Sequence, residues 1–525
     1  MANTIDVLGD DVAIRMVINR TISEFTDDVM TSVGSNAFAC CRSLTTVSFP
    51  NCVSIWSTAF RSCTALTSVF FPECYYISDW AFGDCQSLTT VSFPKCTSTG
   101  GGAFGNCTAL TTISLPKCKA VWVSAFSGCT ALSTVSFPQC EQIADLAFDG
   151  CTSLKTISFP MCSRVTTAAF RSCTALTSVF FPECTELAGT NMFEGCTALT
   201  TVSFPKCTIV ASGMFSGCSS LTSVSFPMCT TISISAFTLC AGLSTVLFPE
   251  CTLIDQYAFY SCRSLTTATF PECTTIRGMA FYNCYSLTTV SFPKCTSIGE
   301  YAFRSCTALT SVFFPECTTI GGTAFYDCQS LTTASFPKCT SIGAFLFNGC
   351  IRLTTVSFPE CITIGDYAFQ SLNALTTAVF PECTTIGTNA FESCSSLTTV
   401  SFPKCTTIGN YAFRRAALSE AFFPNCTSIG SSAFYGCKSL TMISLPKCES
   451  IPIMEFMDCD RLISLYLMNS VVCSLGAINA FNGTPIGGLS AVAGQYGSVY
   501  VPASLLTAYQ TAANWSGISS RIVGI

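Results

Sequence analysis

The chain has 525 residues, 49% of them apolar and only 10% charged, and its 24 basic and 30 acidic residues leave a net charge of −6 with no histidine. That composition excludes a disordered chain, and its acidic balance offers no field that attracts phosphates, so nucleic acid is not an expected partner. No run approaches the roughly 18 consecutive apolar residues of a membrane-spanning helix, so no membrane insertion is expected.

The opening MANTIDVLGDDVAIRMVINR places Asp6, Asp10 and Asp11 where a secretory signal needs basic residues and an unbroken apolar core. No signal peptide is expected, and the cysteines are expected to be made in a reducing cytoplasm. Residues 1–33 read as an N-terminal cap. Within it Val12 to Asn19 would cover the open end of a core, and Ile22 and Phe25 stand at the Leu and Val positions of a degenerate coil.

From Phe38 a phenylalanine returns every 22 residues, at Phe60, Phe82, Phe104, Phe126, Phe148 and Phe170, and the series runs through twenty units to Phe456. The spacing changes twice, to 23 residues between Phe170 and Phe193 and to 21 between Phe413 and Phe434. Phe60–Cys74, Phe170–Cys184 and Phe303–Cys317 share the same fifteen residues, FRSCTALTSVFFPEC, which points to duplication within the array. A unit this short cannot bury its apolar face alone and must stack on its neighbours. Residues 34–482 therefore read as one solenoid, which overrides the several domains that length alone suggests.

Within a unit, Leu44, Val47 and Phe49 are apolar and Thr46 and Ser48 polar, the alternation of a short strand with one buried face. Pro50 ends it. Repeated in one direction, such strands predict an α/β-type repeat solenoid of about 20 coils of 22 residues. One long parallel sheet would grow by roughly 4.8 Å per coil to about 95 Å. The Ala-Phe segment would return the chain as a turn or short helical piece on the other face.

The spacing Leu44-xx-Val47-x-Phe49-xx-Cys52 matches the leucine-rich repeat pattern, with Cys52 at its Asn/Cys position. With Ile298-Gly299-Glu300-Tyr301-Ala302-Phe303-Arg304-Ser305-Cys306 ahead of the next Leu, the whole unit resembles the BspA-like leucine-rich repeat family over about residues 22–482. The resemblance implies adhesion or protein recognition rather than catalysis, and association with a virion or cell surface. Two features depart from the family, the missing export signal and the density of cysteine. Residues 483–525 read as a C-terminal cap, with a strand over Tyr496–Pro502 and a short helix over Ala503–Ala513, similar to the tail of many such repeat proteins.

The 39 cysteines fall on two ladders, Cys41, Cys63 and Cys85 onward after the Phe and Cys52, Cys74 and Cys96 onward after the Pro, with Cys40 and Cys473 as extras. Like residues about 4.8 Å apart with parallel side chains do not suit disulfides, which want Cβ atoms near 3.8 Å. Zinc would need convergent thiolates or histidines, and the chain has no histidine and no C-x-x-C. The expectation is a buried, reduced column with no metal and no cofactor. Leu372 in place of a ladder cysteine agrees with an apolar role.

Candidate contact residues come from breaks in the uniform columns. The outward strand position, usually Ser as at Ser92, Ser136 and Ser225, is aromatic at Phe70, Phe180, Phe313, Phe422 and Tyr466. These are either contact points on a concave face or one repeat variant copied along the array. Tyr260, Tyr282, Arg304 and Tyr326 follow the Phe on successive coils, with Tyr257 and Tyr301 nearby, and form either a binding stripe or ordinary solvated turns. Glu272, Lys294, Glu316, Lys338 and Glu360 alternate in sign and read as structural. Asp255 with Glu272 is the acid pair a glycosidase would need, but it lies on an open ladder, so no enzyme is expected. Two functions follow: a recognition or adhesion protein that binds a protein or surface glycan, or a self-associating virion, tail or filament subunit.

Overall fold

The computed structural model describes residues 23–488 and 496–525; the Val12–Asn19 segment and Ile22 lie outside the described residues. The chain divides into two units, the first ending at Leu265 and the second beginning at Thr266.

In the first unit each coil contributes two strands. Three-residue strands at Glu24–Thr26, Thr46–Ser48, Ser68–Phe70, Thr90–Ser92, Thr112–Ser114 and Thr134–Ser136 form one parallel sheet. Two-residue strands from Ser32–Val33 to Glu186–Leu187 form an eight-stranded second. The register advances by one unit, with Val47 opposite Val69 and Ser48 opposite Phe70. Like residues therefore align in columns.

The Ala-Phe segment is a turn, not a helix, and makes a third hydrogen-bonded side. Asn36 and Cys40, flanking Phe38 at two residues on either side, have φ of 59° and 62°. This left-handed backbone turns N–H groups toward the next coil: Asn36 donates to the Ser57 carbonyl at 3.1 Å, Phe38 to Ala59 at 2.7 Å and Cys40 to Arg61 at 2.8 Å. With three sides bonded between coils, the backbone of a thin repeat is satisfied without helices.

The core is a double column of phenylalanine. Phe60 stacks on Phe82 with centroids 5.2 Å apart and planes 2° from parallel, and Phe82 on Phe104 at 5.3 Å and 6°. The strand-end Phe49 and Phe71 stack at 5.2 Å. Phe38 meets Phe49 edge-on at 5.9 Å and 68°. Each such pair adds about 0.5–1.5 kcal/mol beyond burial. The 23-residue spacing leaves the stack intact, with Phe170 and Phe193 at 5.4 Å and 2°.

The second unit repeats the plan. Three-residue strands Ser311–Phe313, Thr333–Ser335 and Thr355–Ser357 form one sheet, and two-residue strands from Ser341–Ile342 to Ser428–Ile429 form another. Phe413 and Phe434 stack at 5.3 Å across the 21-residue spacing. The sheet of Glu420–Phe422, Met442–Ser444 and Ser464–Tyr466 continues through Ser498–Val501 into a final strand, Ile522–Gly524, that sequence reading missed. Between these last two strands lie the 3-10 turn Ala503–Leu505, the α-helix Leu506–Thr511 and the 3-10 segment Trp515–Arg521. Buried Tyr509 and Trp515 close on Cys473: its N–H donates to Tyr509 Oη at 2.9 Å, and its carbonyl accepts from Trp515 Nε1 at 2.7 Å. Among the described residues no helix is long and apolar enough to cross a membrane.

Every cysteine except Cys40 and Cys41 is buried. The thiols are not mere apolar filler. Cys85 donates to the Phe60 carbonyl at 3.1 Å and Cys129 to that of Phe104 at 3.1 Å, while Cys52 on the other ladder donates to the Ser54 carbonyl at 3.2 Å. Cys207 departs from its ladder and donates to the Cys184 carbonyl at 3.0 Å. Leu372 is fully buried in its thiol column.

Candidate functional site

Tyr282, Tyr301, Arg304 and Tyr326 come together in the second unit. The residue after each core Phe points outward, so Tyr282, Arg304 and Tyr326 share a column, and Tyr301 precedes Phe303 by two residues in left-handed backbone at φ 57°. The Arg304 guanidinium carbon lies 4.6 Å from the Tyr326 ring centroid, 5.5 Å from Tyr301 and 5.6 Å from Tyr282. All four side chains are half-buried. Among the described residues Arg304 has no ion-pair partner, and its Nε is buried without a hydrogen-bond acceptor. Three ring faces thus hold a cation whose charge no carboxylate of the described residues neutralises. Each such contact is worth about 0.5–1 kcal/mol when exposed and about 2 kcal/mol when desolvated.

The same column carries a second arginine that sequence reading absorbed into the 21-residue break. Arg414 sits 5.4 Å from the centroids of both Tyr411 and Tyr435. Here the charge is compensated, because Arg414 Nη1 pairs with Glu392 at 3.4 Å. Glu392 in turn accepts from Gln370 Nε2 at 2.8 Å, and Gln370 accepts from Asn348 Nδ2 at 2.8 Å. The contrast isolates Arg304 as the uncompensated cation of the two cages.

In the first unit Tyr257 and Tyr260 meet edge-on at 5.9 Å. The outward strand aromatics do not cluster. Phe70 lies in register between Ser48 and Ser92, Phe180 beside Ser158, Phe313 beside Ser335 and Phe422 beside Ser444, and their exposure runs from 49% to 63%. Tyr466 differs: it is half-buried and stacks on Tyr500 at 4.7 Å and 14°. Leu247 and Val379 occupy the same outward position and are equally exposed, which a search for aromatics alone overlooks. The alternating charges pair between coils, Lys294 with Glu272 at 2.6 Å and Lys338 with Glu316. Among the described residues no group of three or more His, Cys, Asp or Glu side chains is placed to hold a metal ion.

The parallel ladders and 22-residue register match a described family, the BspA type Leucine rich repeat region, in six overlapping copies over residues 31–155, 141–266, 230–339, 274–398, 318–441 and 362–485. The chain belongs to this family. A BspA-type leucine-rich repeat array thus accounts for most of its length, as the sequence resemblance implies. Similar solved structures include a leucine-rich repeat protein from Bacteroides ovatus, 24% identical over 77% of this chain and 87% of the other, with a TM-score of 0.45. A leucine rich cell surface protein from Faecalibacterium prausnitzii is 22% identical over 64% of this chain and 88% of the other, with a TM-score of 0.32. A leucine rich repeat protein from T. pallidum is 24% identical over 36% and 73% of the two chains, with a TM-score of 0.24. No curated protein matches the chain.

Proposed function

We propose that this protein is a non-enzymatic recognition protein that binds a protein partner, with the Tyr282–Tyr301–Arg304–Tyr326 cluster engaging a carboxylate-bearing loop. The observation that carries the reading is the uncompensated Arg304 held among three tyrosine rings. Arginine and tyrosine dominate the energetic centres of protein interfaces, since they combine large rigid contact area with directed hydrogen bonds. A guanidinium already fixed by its rings loses little rotamer entropy when a carboxylate docks. Repeat arrays offer extended surfaces of this kind rather than an enclosed cleft. The exposed Phe70, Phe180, Phe313 and Phe422 add apolar contacts to the same reading.

The competing role is a structural subunit whose uniform Thr and Ser columns bury one another in an assembly. Light scattering on the purified full chain separates them. Recognition predicts a mass near 55.8 kDa that does not change with concentration. Masses that grow with concentration into open-ended assemblies would replace recognition by self-association.

A further inference from the structure

We propose a second binding site in the first unit, a surface notch between Tyr76 and Trp122 that takes a quaternary ammonium group. It shares no residue with the arginine cluster, so it stands or falls separately.

The notch arises where one coil supplies only small side chains. Ser98 lies in register between Tyr76 and Ala120, and Gly100 and Gly101 follow on the same coil. The flanking coils supply Tyr76 and Asp79 on one side and Trp122 and Val123 on the other, and together they bound a cavity of about 500 Å³. A Cβ at Gly101 would meet nothing nearer than 3.5 Å, so the floor has room that the fold leaves unfilled.

Both rings are fixed. Trp122 is 52% exposed, and its indole N–H donates to Ser98 Oγ at 2.8 Å. With that N–H spent, the indole offers a ligand its π surface and no donor. Tyr76 meets Trp56 edge-on, with centroids 6.1 Å apart.

The charge beside them is negative and unpaired. Asp79 is exposed, its Oδ1 accepts the Gly101 N–H at 2.7 Å, and among the described residues it has no ion-pair partner. No Lys or Arg lines the cavity. Aromatic rings and a carboxylate both attract a cation, the rings through their quadrupole and the carboxylate through its full charge. The same carboxylate repels an anionic ligand.

The kind of cation follows from the hydrogen bonds already made. The carbonyls of Asp79, Gly100, Gly101 and Val123 accept the N–H groups of Thr58, Ala103, Trp80 and Gly102 at 2.8 to 3.3 Å. Ser98 Oγ already accepts the indole N–H. The strongest acceptor left is Asp79 Oδ2. A primary ammonium brings three N–H donors and a guanidinium five, more than one carboxylate oxygen satisfies. A tetraalkylammonium has no donor to leave unpaired, and its methyl groups pack against the rings while its charge faces Asp79.

The test is saturation-transfer NMR and tryptophan fluorescence titration of the full chain with tetramethylammonium, choline and phosphocholine. Methylammonium, guanidinium and the neutral tert-butyl isostere of choline serve as comparisons. Tetramethylammonium and choline should bind in the millimolar range, about tenfold or more tighter than the comparisons. Phosphocholine bound as tightly as choline is expected of a headgroup ligand and phosphocholine rejected of a free ammonium; both support the site. Asp79→Asn and Trp122→Ala should each weaken choline by about tenfold or more, and Gly101→Leu, which fills the floor, should abolish binding. Asp79→Asn alters only an exposed side chain, so its result stands if another variant misfolds. The proposal is overturned if no quaternary ammonium binds, if any comparison compound binds as tightly as choline, or if Asp79→Asn binds as the parent does.

Discussion

Cys63 Sγ donates a hydrogen bond to the Phe38 carbonyl oxygen across 3.0 Å, and the same bond recurs along the column at Cys85 to Phe60 and Cys107 to Phe82. Each thiol thus ties its coil to the one before it through a carbonyl buried beside the phenylalanine stack. Burial pushes these thiols up, Cys85 and Cys129 to about 12 and Cys52 and Cys118 to about 11, so at neutral pH they stay protonated and poorly nucleophilic. Cys41 runs the other way, its thiol lowered by its interaction with the neighbouring Cys63 side chain and only half-buried, and Cys40 beside it is exposed. A maleimide or aromatic disulfide reagent should therefore label Cys40 and Cys41 quickly in the native protein and the other cysteines only after denaturation. Rapid native labelling along either ladder, read by peptide mass spectrometry, contradicts this.

The raised thiols also set an alkaline limit. A folded-state value above the ordinary 9.0 means the native chain holds protons that the unfolded chain has released. Stability from these groups is complete below about pH 9 and is lost as pH rises toward about 12. Urea midpoints should be level from about pH 7 to about pH 8.5 and fall steeply above about pH 9. A flat profile through about pH 10.5 would mean the ladders are not desolvated as described.

Glu455 stands where other coils carry Ala before the core Phe, as at Ala412 and Ala433, and it is fully buried. Its Oε2 accepts the Ala433 N–H at 3.2 Å and its Oε1 has no partner. Desolvation holds its carboxyl well above the ordinary 4.5, and the hydrogen bond from the Ala433 N–H offsets only part of that. Its contribution is full below about pH 4.5 and lost as pH rises, because folding at neutral pH must then take up a proton. Glu455→Ala should stabilise the protein by about 1–3 kcal/mol at pH 7 and by less near pH 4. Equal destabilisation at both pH values contradicts the assignment.

Phe126 stacks on Phe104 at 5.3 Å and on Phe148 at 5.2 Å, so Phe126→Ala should cost about 3–5 kcal/mol. By contrast Lys294→Ala breaks a half-exposed pair with Glu272 and should cost under about 1 kcal/mol. Denaturation curves that reverse this order would move the stabilising centre from the core to the surface ladder.

The column logic was legible because a fixed period turns every substitution into a visible irregularity: Val47, Phe49, Pro50 and Cys52 keep their roles through the array. The second ladder was not, since a two-residue strand such as Ser54–Ile55 is too short to show alternation. Nor was the turn geometry, because the left-handed positions carry residues as varied as Asn36, Trp80 and Tyr301, which do not announce a positive φ. The tyrosines around Arg304 could be listed from their spacing, but the absence of a carboxylate partner required three dimensions.

The direct test of recognition through Arg304 is capture of the full chain on a peptide array graded in Asp and Glu content, comparing the parent with Arg304→Gln and with the Tyr282→Ala, Arg304→Ala double variant. The account predicts that parent capture rises with acidic content, weakens with added salt, and falls by about tenfold or more in both variants. Capture by either variant equal to the parent, or capture indifferent to peptide charge, would contradict it.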